Sequence, residues 1–283
     1  MNARTWSAMG LKYNPFSPDV PIEALWVSPG TEHFCWRMQN QVREGGFALV
    51  SGDVGTGKSV TLRVLAERLN RLRDVTVGTL THPRGRVPDF YRELGELFGV
   101  VITASNRWGG FKALREKWLA HIDSTLMRPV LLIDEAQQMY PDVLSELRML
   151  ASTQFDSRSI LTVVLAGDAR LPEMLRSKEL LPLGSRMRVR IMHEYAPRED
   201  LLACLGHRLA QAGNPTLMTK ELMETLCDHA AGNYRALFIM AGELLDIAAQ
   251  REIRRLDEKL YFDVFAPAVA RKPAPSAPVR RRS

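Results

Sequence analysis

The run Gly52-Asp53-Val54-Gly55-Thr56-Gly57-Lys58-Ser59 narrows the folds open to this chain more than any other stretch. It fits the phosphate-binding pattern G-x-x-x-x-G-K-[ST] in full. Gly52, Gly55 and Gly57 let the backbone take positive φ and turn N–H groups toward an anion. Lys58 can reach the β- and γ-phosphates of ATP, and the Ser59 hydroxyl can bind Mg²⁺. The flanks agree with the motif. Phe47 to Val50 is an apolar run of strand length, while Val60, Leu62, Val64, Leu65 and Leu69 recur at helical spacing. Strand, glycine loop and helix together aim the positive end of a helix dipole at phosphate. The nucleotide-contact set is therefore Gly52, Asp53, Val54, Gly55, Thr56, Gly57, Lys58, Ser59 and Val60.

Hydrolysis also needs a held metal and an aimed water. The apolar run Val130 to Ile133 ends in Asp134-Glu135, where an α/β sheet presents ligands at the carboxyl ends of its strands. Asp134 is expected to bind Mg²⁺, directly or through its water, and Glu135 to orient or deprotonate the attacking water. An acid pair after a strand can also merely cap a loop. The phosphate loop upstream gives this pair its meaning.

Strands alternate with helices from about residue 31 to residue 195, which predicts an α/β domain with a mainly parallel sheet flanked by helices. Strands are expected near 47–50, 75–80, 130–134, 159–166 and 188–192. Residues 1–30 are proline-rich and read as irregular. Residues 196–266 carry three helix-spaced apolar segments, over 200–212, 220–230 and 235–251, with no strand between them, and predict a small helical domain. The Ala/Pro/Arg tail, 267–283, is expected to be disordered.

The net charge is +6, but Arg271, Lys272, Arg280, Arg281 and Arg282 supply five of these charges, so the rest is near neutral. Any DNA surface must then be a local patch. Cys35, Cys204 and Cys227 lie far apart and suggest neither a disulfide framework nor a zinc site. No segment approaches a membrane span and the N-terminus lacks a signal-peptide core, so the chain reads as cytoplasmic, without membrane insertion.

The two nucleotide motifs together resemble the AAA+ ATPases, within them the branch of the ExeA-type ATPases and the transposition ATPases MuB, TniB and TnsC. Asn14-Pro15-Phe16, Leu165 to Leu171, Leu183 to Arg190 and Ala231 to Ala236 extend the resemblance over about residues 13 to 250. It implies a P-loop AAA+ domain with an all-helical C-terminal lid. It places Asn14, Pro15 and Phe16 near the adenine, where a proline-fixed turn with a buried Phe is the equal alternative. Asp168 falls at the sensor 1 position, although an acid there suits a turn residue better. Arg186 matches the arginine finger that reaches the next subunit's ATP, with Arg188 next. The alternation of Arg186, Arg188 and Arg190 with apolar residues also fits one solvated strand face. Arg235 matches sensor 2, or is a surface arginine at a helix start. A finger acting in trans implies a ring or helical homo-oligomer with ATP between subunits.

For the partner, the resemblance implies duplex DNA bound without sequence specificity, with recruitment or regulation of a transposase in target selection. The loop Thr81 to Arg86 is the expected contact, through Arg84 and Arg86, or else a solvated basic loop. Asn106 to Gly110 is a second candidate loop, although Trp108 there reads as a core or interface residue. His82 reads as a turn residue. The alternative is a secretion-associated ATPase of the ExeA type. Those proteins join a similar ATPase to a membrane span and a cell-wall-binding region, neither of which is read here, and that favours the transposition expectation.

Overall fold

The computed structural model describes residues 3–81, 83–102, 107–125, 128–155 and 157–265. The tail from residue 266, His82 and Asn106 lie outside them. The chain opens with α1 (Ala3–Ala8) and α2 (Pro29–Gln41), then β1 (Gly46–Gly52), α3 (Lys58–Asn70), β2 (Val75–Leu80), α4 (Val87–Phe98) and α5 (Arg107–Thr125). Next come β3 (Arg128–Ile133), α6 (Pro141–Leu150), the two-residue strands β4 (Ser152–Thr153) and β5 (Arg158–Ser159), and β6 (Thr162–Gly167). Two short helices, α7 (Arg170–Met174) and α8 (Leu181–Gly184), lead to β7 (Met187–His193). Four helices close the chain: α9 (Arg198–Ala212), α10 (Lys220–Ala230), α11 (Tyr234–Gln250) and α12 (Glu258–Phe265).

Five strands form one parallel sheet in the order β2-β3-β6-β1-β7. Every residue of β1 and β6 is buried, which accounts for their unbroken apolar runs: both faces are covered. On one face Leu131, Ile133, Val163 and Leu165 pack against α4, α5 and α6. On the other, Ala48, Val50, Leu132 and Val164 meet α2 and α3. The sheet is thus sandwiched, and its carboxyl edge is where such a sheet presents a ligand.

The helices after β7 have a hydrophobic core of their own, built on Leu205, Leu209, Leu226, Leu237 and Leu244. Each such fully buried leucine contributes about 1.5–3 kcal/mol. The N-terminal segment joins this core rather than the sheet. Ala3–Ala8 is helical, and Met9, Leu11 and Phe16 are buried in the same cluster. Backbone and side-chain bonds seal the contact: Lys12 N–H donates to the Ala212 carbonyl at 2.8 Å, and Asn214 Nδ2 to the Met9 carbonyl at 2.7 Å. This order is invisible to local periodicity because its partners lie some two hundred residues downstream. Trp108 is not a core residue: it is 73% exposed and stacks on Phe111 one helical turn away. All three cysteines are buried and free.

Candidate functional site

β3, β6 and β1 are consecutive in the sheet, so the loops leaving their carboxyl ends converge. β1 delivers the glycine loop, β3 delivers Asp134 and Glu135, and β6 delivers Asp168. α3 starts at Lys58 behind Gly57, whose φ of 110° is left-handed and which supplies no side-chain cap. The first N–H groups of α3 therefore face the cleft rather than a capping side chain. Lys58 is nearly buried, and its Nζ donates to the carbonyls of Gly52 and Asp53 at 2.8 Å each. Burial pushes its pKa down, while Glu135, Asp134 and Asp168 oppose that shift.

Asp134 is half-buried, and burial raises its pKa. Its carboxylate accepts from the Glu135 N–H at 2.9 Å and is hydrogen-bonded to Ser59. A hydroxyl and a carboxylate side by side are hard oxygen donors that fit Mg²⁺, an ion that takes most of its ligands from water and phosphate. In keeping with that, among the described residues no group of three or more His, Cys, Asp and Glu gathers around one point.

Glu135 sits at the one-residue turn after Asp134 with φ 54°. Left-handed backbone at a non-glycine residue costs on the order of 1 kcal/mol and fixes where the side chain points. Its Oε2 accepts from Gln137 Nε2 at 2.7 Å and Gln138 Nε2 at 3.1 Å. Gln137 Oε1 in turn accepts from the Asp168 N–H at 3.3 Å. Asp168 itself accepts from the Arg170 N–H at 2.9 Å and grips the Arg170 guanidinium at 2.6 Å, and this pair holds its carboxyl below the usual range. Asp168 is thus a turn residue with its charge neutralised locally, and the polar group spanning β3 and β6 is Gln137.

The lid reaches the glycine loop through Asn233. This residue caps α11, accepting from the N–H groups of Arg235 and Ala236, and donates through Nδ2 to the Val54 carbonyl at 2.9 Å. Gly55 (φ 84°) has no room for a side chain here: a Cβ would collide with Asn233 Oδ1. Arg235 is exposed and close enough to Lys58 to oppose its charge. It lines a cavity of 1010 Å³ together with Gly55, Lys58, Ser59, Glu135, Asn14 and Phe16. A smaller lobe of 290 Å³ adjoins it and shares Gly57, Val60, Arg208, Tyr234 and Phe238. Asn14 Oδ1 accepts from the Phe16 N–H at 2.9 Å, fixing the turn at Pro15, and the Phe16 ring stacks on Phe238 at 6.5 Å. Phe16 is thus both buried and part of the cleft wall, whereas Pro15 presents only its carbonyl, to Arg208.

Beneath the loop lies His193, which sequence reading passed over. Its Nε2 is 2.9 Å from Thr61 Oγ1, and Thr61 meets Thr31 at 3.2 Å. Burial, then the nearby Lys58, push its pKa down to about 4, so the imidazole is neutral at neutral pH. Nothing in the spacing of the histidines could have singled it out, because its partners come from α2 and α3. Arg208, also missed, lies mid-helix among apolar residues, a pattern that is the only local hint of its burial.

The basic residues part company. Arg186 is half-buried and donates to the Pro182 carbonyl, outside the cleft of its own chain. Arg188 pairs with Glu44 at 3.1 Å, and Arg190 donates to the Gly184 carbonyl at 2.9 Å. Arg188 and Arg190 form the exposed face of edge strand β7. Arg84 Nε donates to Gln138 Oε1 at 2.5 Å, and the Arg86 guanidinium lies 4.1 Å from the Tyr140 ring centroid. Both arginines of the loop after β2 thus rest on the segment that follows Glu135.

Residues 41–175 match the family model described as "AAA domain". General secretion pathway protein A of Aeromonas hydrophila is 28% identical over 250 residues, which is 86% of this chain and 44% of that protein. The chain spans less than half the length of that relative. Among solved structures, the ORC2 protein of Aeropyrum pernix in its ADPNP–ADP complexes superposes with a TM-score of 0.68 at 14% identity, over 88% of this chain and 70% of that one. Cdc6p of Pyrobaculum aerophilum gives 0.66 at 17% identity, over 85% and 67%. The ORC1 protein of Aeropyrum pernix in complex with DNA gives 0.66 at 17%, over 88% and 67%. The chain therefore has the AAA+ P-loop ATPase fold in its ORC/Cdc6-like form, its mainly parallel sheet flanked by helices and its C-terminal helices consistent with a lid.

Proposed function

We propose that this chain hydrolyses Mg-ATP between copies of itself and passes the change of shape to a secretion machine, as an ATPase of the ExeA type. The observation that carries the ATPase reading is the meeting of Lys58, Ser59, Asp134 and Glu135 in one cleft that Arg235 closes from the lid. Lys58 and the N–H groups of the glycine loop hold the β- and γ-phosphates. Ser59 and Asp134 would hold the metal, which when bound would neutralise charge on the phosphate oxygens. Glu135, kept in place by two glutamine amides, aims the water and takes its proton. Arg235 meets the γ-phosphate, so its loss on hydrolysis frees the lid contact next door at Asn233. Arg186 lies away from its own cleft, which supports a role toward the neighbouring copy's nucleotide. Copies joined head to tail in this way form a ring or a helical filament.

The likeness to General secretion pathway protein A supports the secretion role. Among the described residues no helix is long and apolar enough to cross a membrane, so contact with a membrane machine would run through a partner or a further segment.

A second reading, a DNA-assembled helper of a transposase, is favoured by the fold shared with a protein solved in complex with DNA. In that reading duplex DNA would draw Arg84 and Arg86 from Gln138 and Tyr140. Steady-state ATP hydrolysis with and without linear duplex DNA, with Glu135→Gln as the blank, separates the two. A rate indifferent to DNA is expected. A DNA-dependent rate moves the reading to the transposition helper, and a wild-type rate no higher than the blank sinks both.

A further inference from the structure

Arg208 of α9 is 4% exposed, yet the titratable neighbours that act on it are Cys204, Arg63 and Tyr13, with no carboxylate among them. Its Nη1 donates to the Pro15 carbonyl at 3.2 Å, and its guanidinium lies 4.6 Å from the centroid of the Phe238 ring. Its side chain is hydrogen-bonded to Cys204, one turn back on α9, while its buried Nε–H meets no acceptor among the described residues. A buried cation without a carboxylate partner is costly unless a ligand offsets part of its lost solvation. Burial lowers the pKa of this guanidinium, as follows for a cation without a counter-charge.

The position of this side chain says which part of a ligand it faces. Arg208 lines both lobes of the cleft and marks their boundary. The phosphate end is already furnished, with Lys58, Ser59 and the start of α3. Around Arg208 the walls are flat and aromatic instead: Phe238 and Tyr234 line both lobes, Phe16 the larger and Trp26 the smaller. Such walls suit a planar heterocycle rather than a phosphate.

We propose that Arg208 is the residue that reads the base of the bound nucleotide, its guanidinium presenting an N–H to a ring-nitrogen acceptor of a purine. This rests on the nucleotide reading above and assigns within it a residue for base recognition. The same guanidinium, bonded to the Pro15 carbonyl, ties the N-terminal segment to the lid, so an occupied base pocket and a docked N-terminal segment favour each other.

The test is binding of Mg-ATP and of magnesium tripolyphosphate, which lacks base and ribose, to the full chain by calorimetry. Arg208→Met keeps the apolar stem over Phe238 and removes the donors. It is expected to weaken ATP about tenfold, the effect of one buried charged hydrogen bond, and to leave tripolyphosphate unchanged. Equal losses for both ligands, or a loss for neither, overturn the proposal. If the variant does not fold, the wild type decides: 1-deaza-, 3-deaza- and 7-deaza-ATP each lack one ring acceptor. One of the three should bind about tenfold more weakly than ATP, and equal binding of all three overturns the proposal. A wild-type protein that binds neither ATP nor tripolyphosphate instead defeats the nucleotide reading itself.

Discussion

At the phosphate end of the cleft, Gly52 to Ser59 form one continuous turn between β1 and α3. At the other end, Phe16, Trp26, Tyr195, Arg208 and Phe238 come from four stretches of chain and meet only when the lid and the N-terminal segment dock. The first is a backbone device. Its N–H groups point inward because three glycines allow it, whatever packs nearby. The second is a packing device, whose shape follows the position of the lid. In the proposed cycle, a lid that moved on loss of γ-phosphate would alter the base end and the Arg235 contact while leaving the glycine turn intact.

The largest effects should fall at the phosphate end. Lys58→Ala is expected to abolish both nucleotide binding and hydrolysis. Glu135→Gln should cut phosphate release at least about a hundredfold while ATP binding persists. Wild-type turnover in Glu135→Gln would show that the water is aimed by another group.

The seam between the two ends is probed next. Gly55→Ala puts a methyl group into Asn233 Oδ1 on a backbone of φ 84° and should destabilise the protein by about 1–3 kcal/mol in urea unfolding. Asn233→Ala removes the α11 cap and the bond to Val54, for a loss of about 1 kcal/mol and a weaker lid contact. A Gly55→Ala protein as stable as wild type would mean that lid and loop are not in contact in solution.

His193 gives the contrast a pH dependence. Its folded pKa of about 4 lies below the ordinary value of 6.5. Above pH 6.5 it is neutral in both states; below, the unfolded chain takes up a proton that the folded one refuses until about pH 4. Stability should therefore fall with falling pH across that window, by roughly 1.4 kcal/mol per unit and about 3 kcal/mol in all. In His193→Gln that part of the slope should vanish. A slope identical to wild type would place the histidine in water.

The smallest effect is expected at Arg188→Ala. Its pair with Glu44 is more than half exposed on both sides, so the loss should stay within about 0.5 kcal/mol and turnover should not change. A large loss of turnover would instead make Arg188, rather than Arg186, the residue that serves the neighbouring copy.

Much of the α/β half was legible, and one lid helix with it. β2 and α10 fall where the residues predict them, and the run before Asp134 is buried almost throughout. Continuous apolar runs and helical spacing are local signals, and a sheet covered on both faces enforces them. The N-terminal segment was not legible, because Met9, Leu11 and Phe16 have no period and find their partners only in the lid. β4 and β5, two residues each, and α12 left too little pattern to read. Arg84 and Arg86 read as a DNA contact or a solvated basic loop, yet Gln138 and Tyr140 hold them, and nothing within the loop announces that.

The sequence by itself determined the strand, glycine turn and helix start around Gly52 to Ser59, because these act through backbone geometry within a few residues. Only the tertiary structure decided the rest: that Gln137 rather than Asp168 spans β3 and β6, that Asn233 ties lid to loop, and that Arg208 stands buried without a carboxylate. Each depends on side chains far apart in the chain, whose meeting is set by how the lid core and the sheet core pack, and no local pattern encodes that.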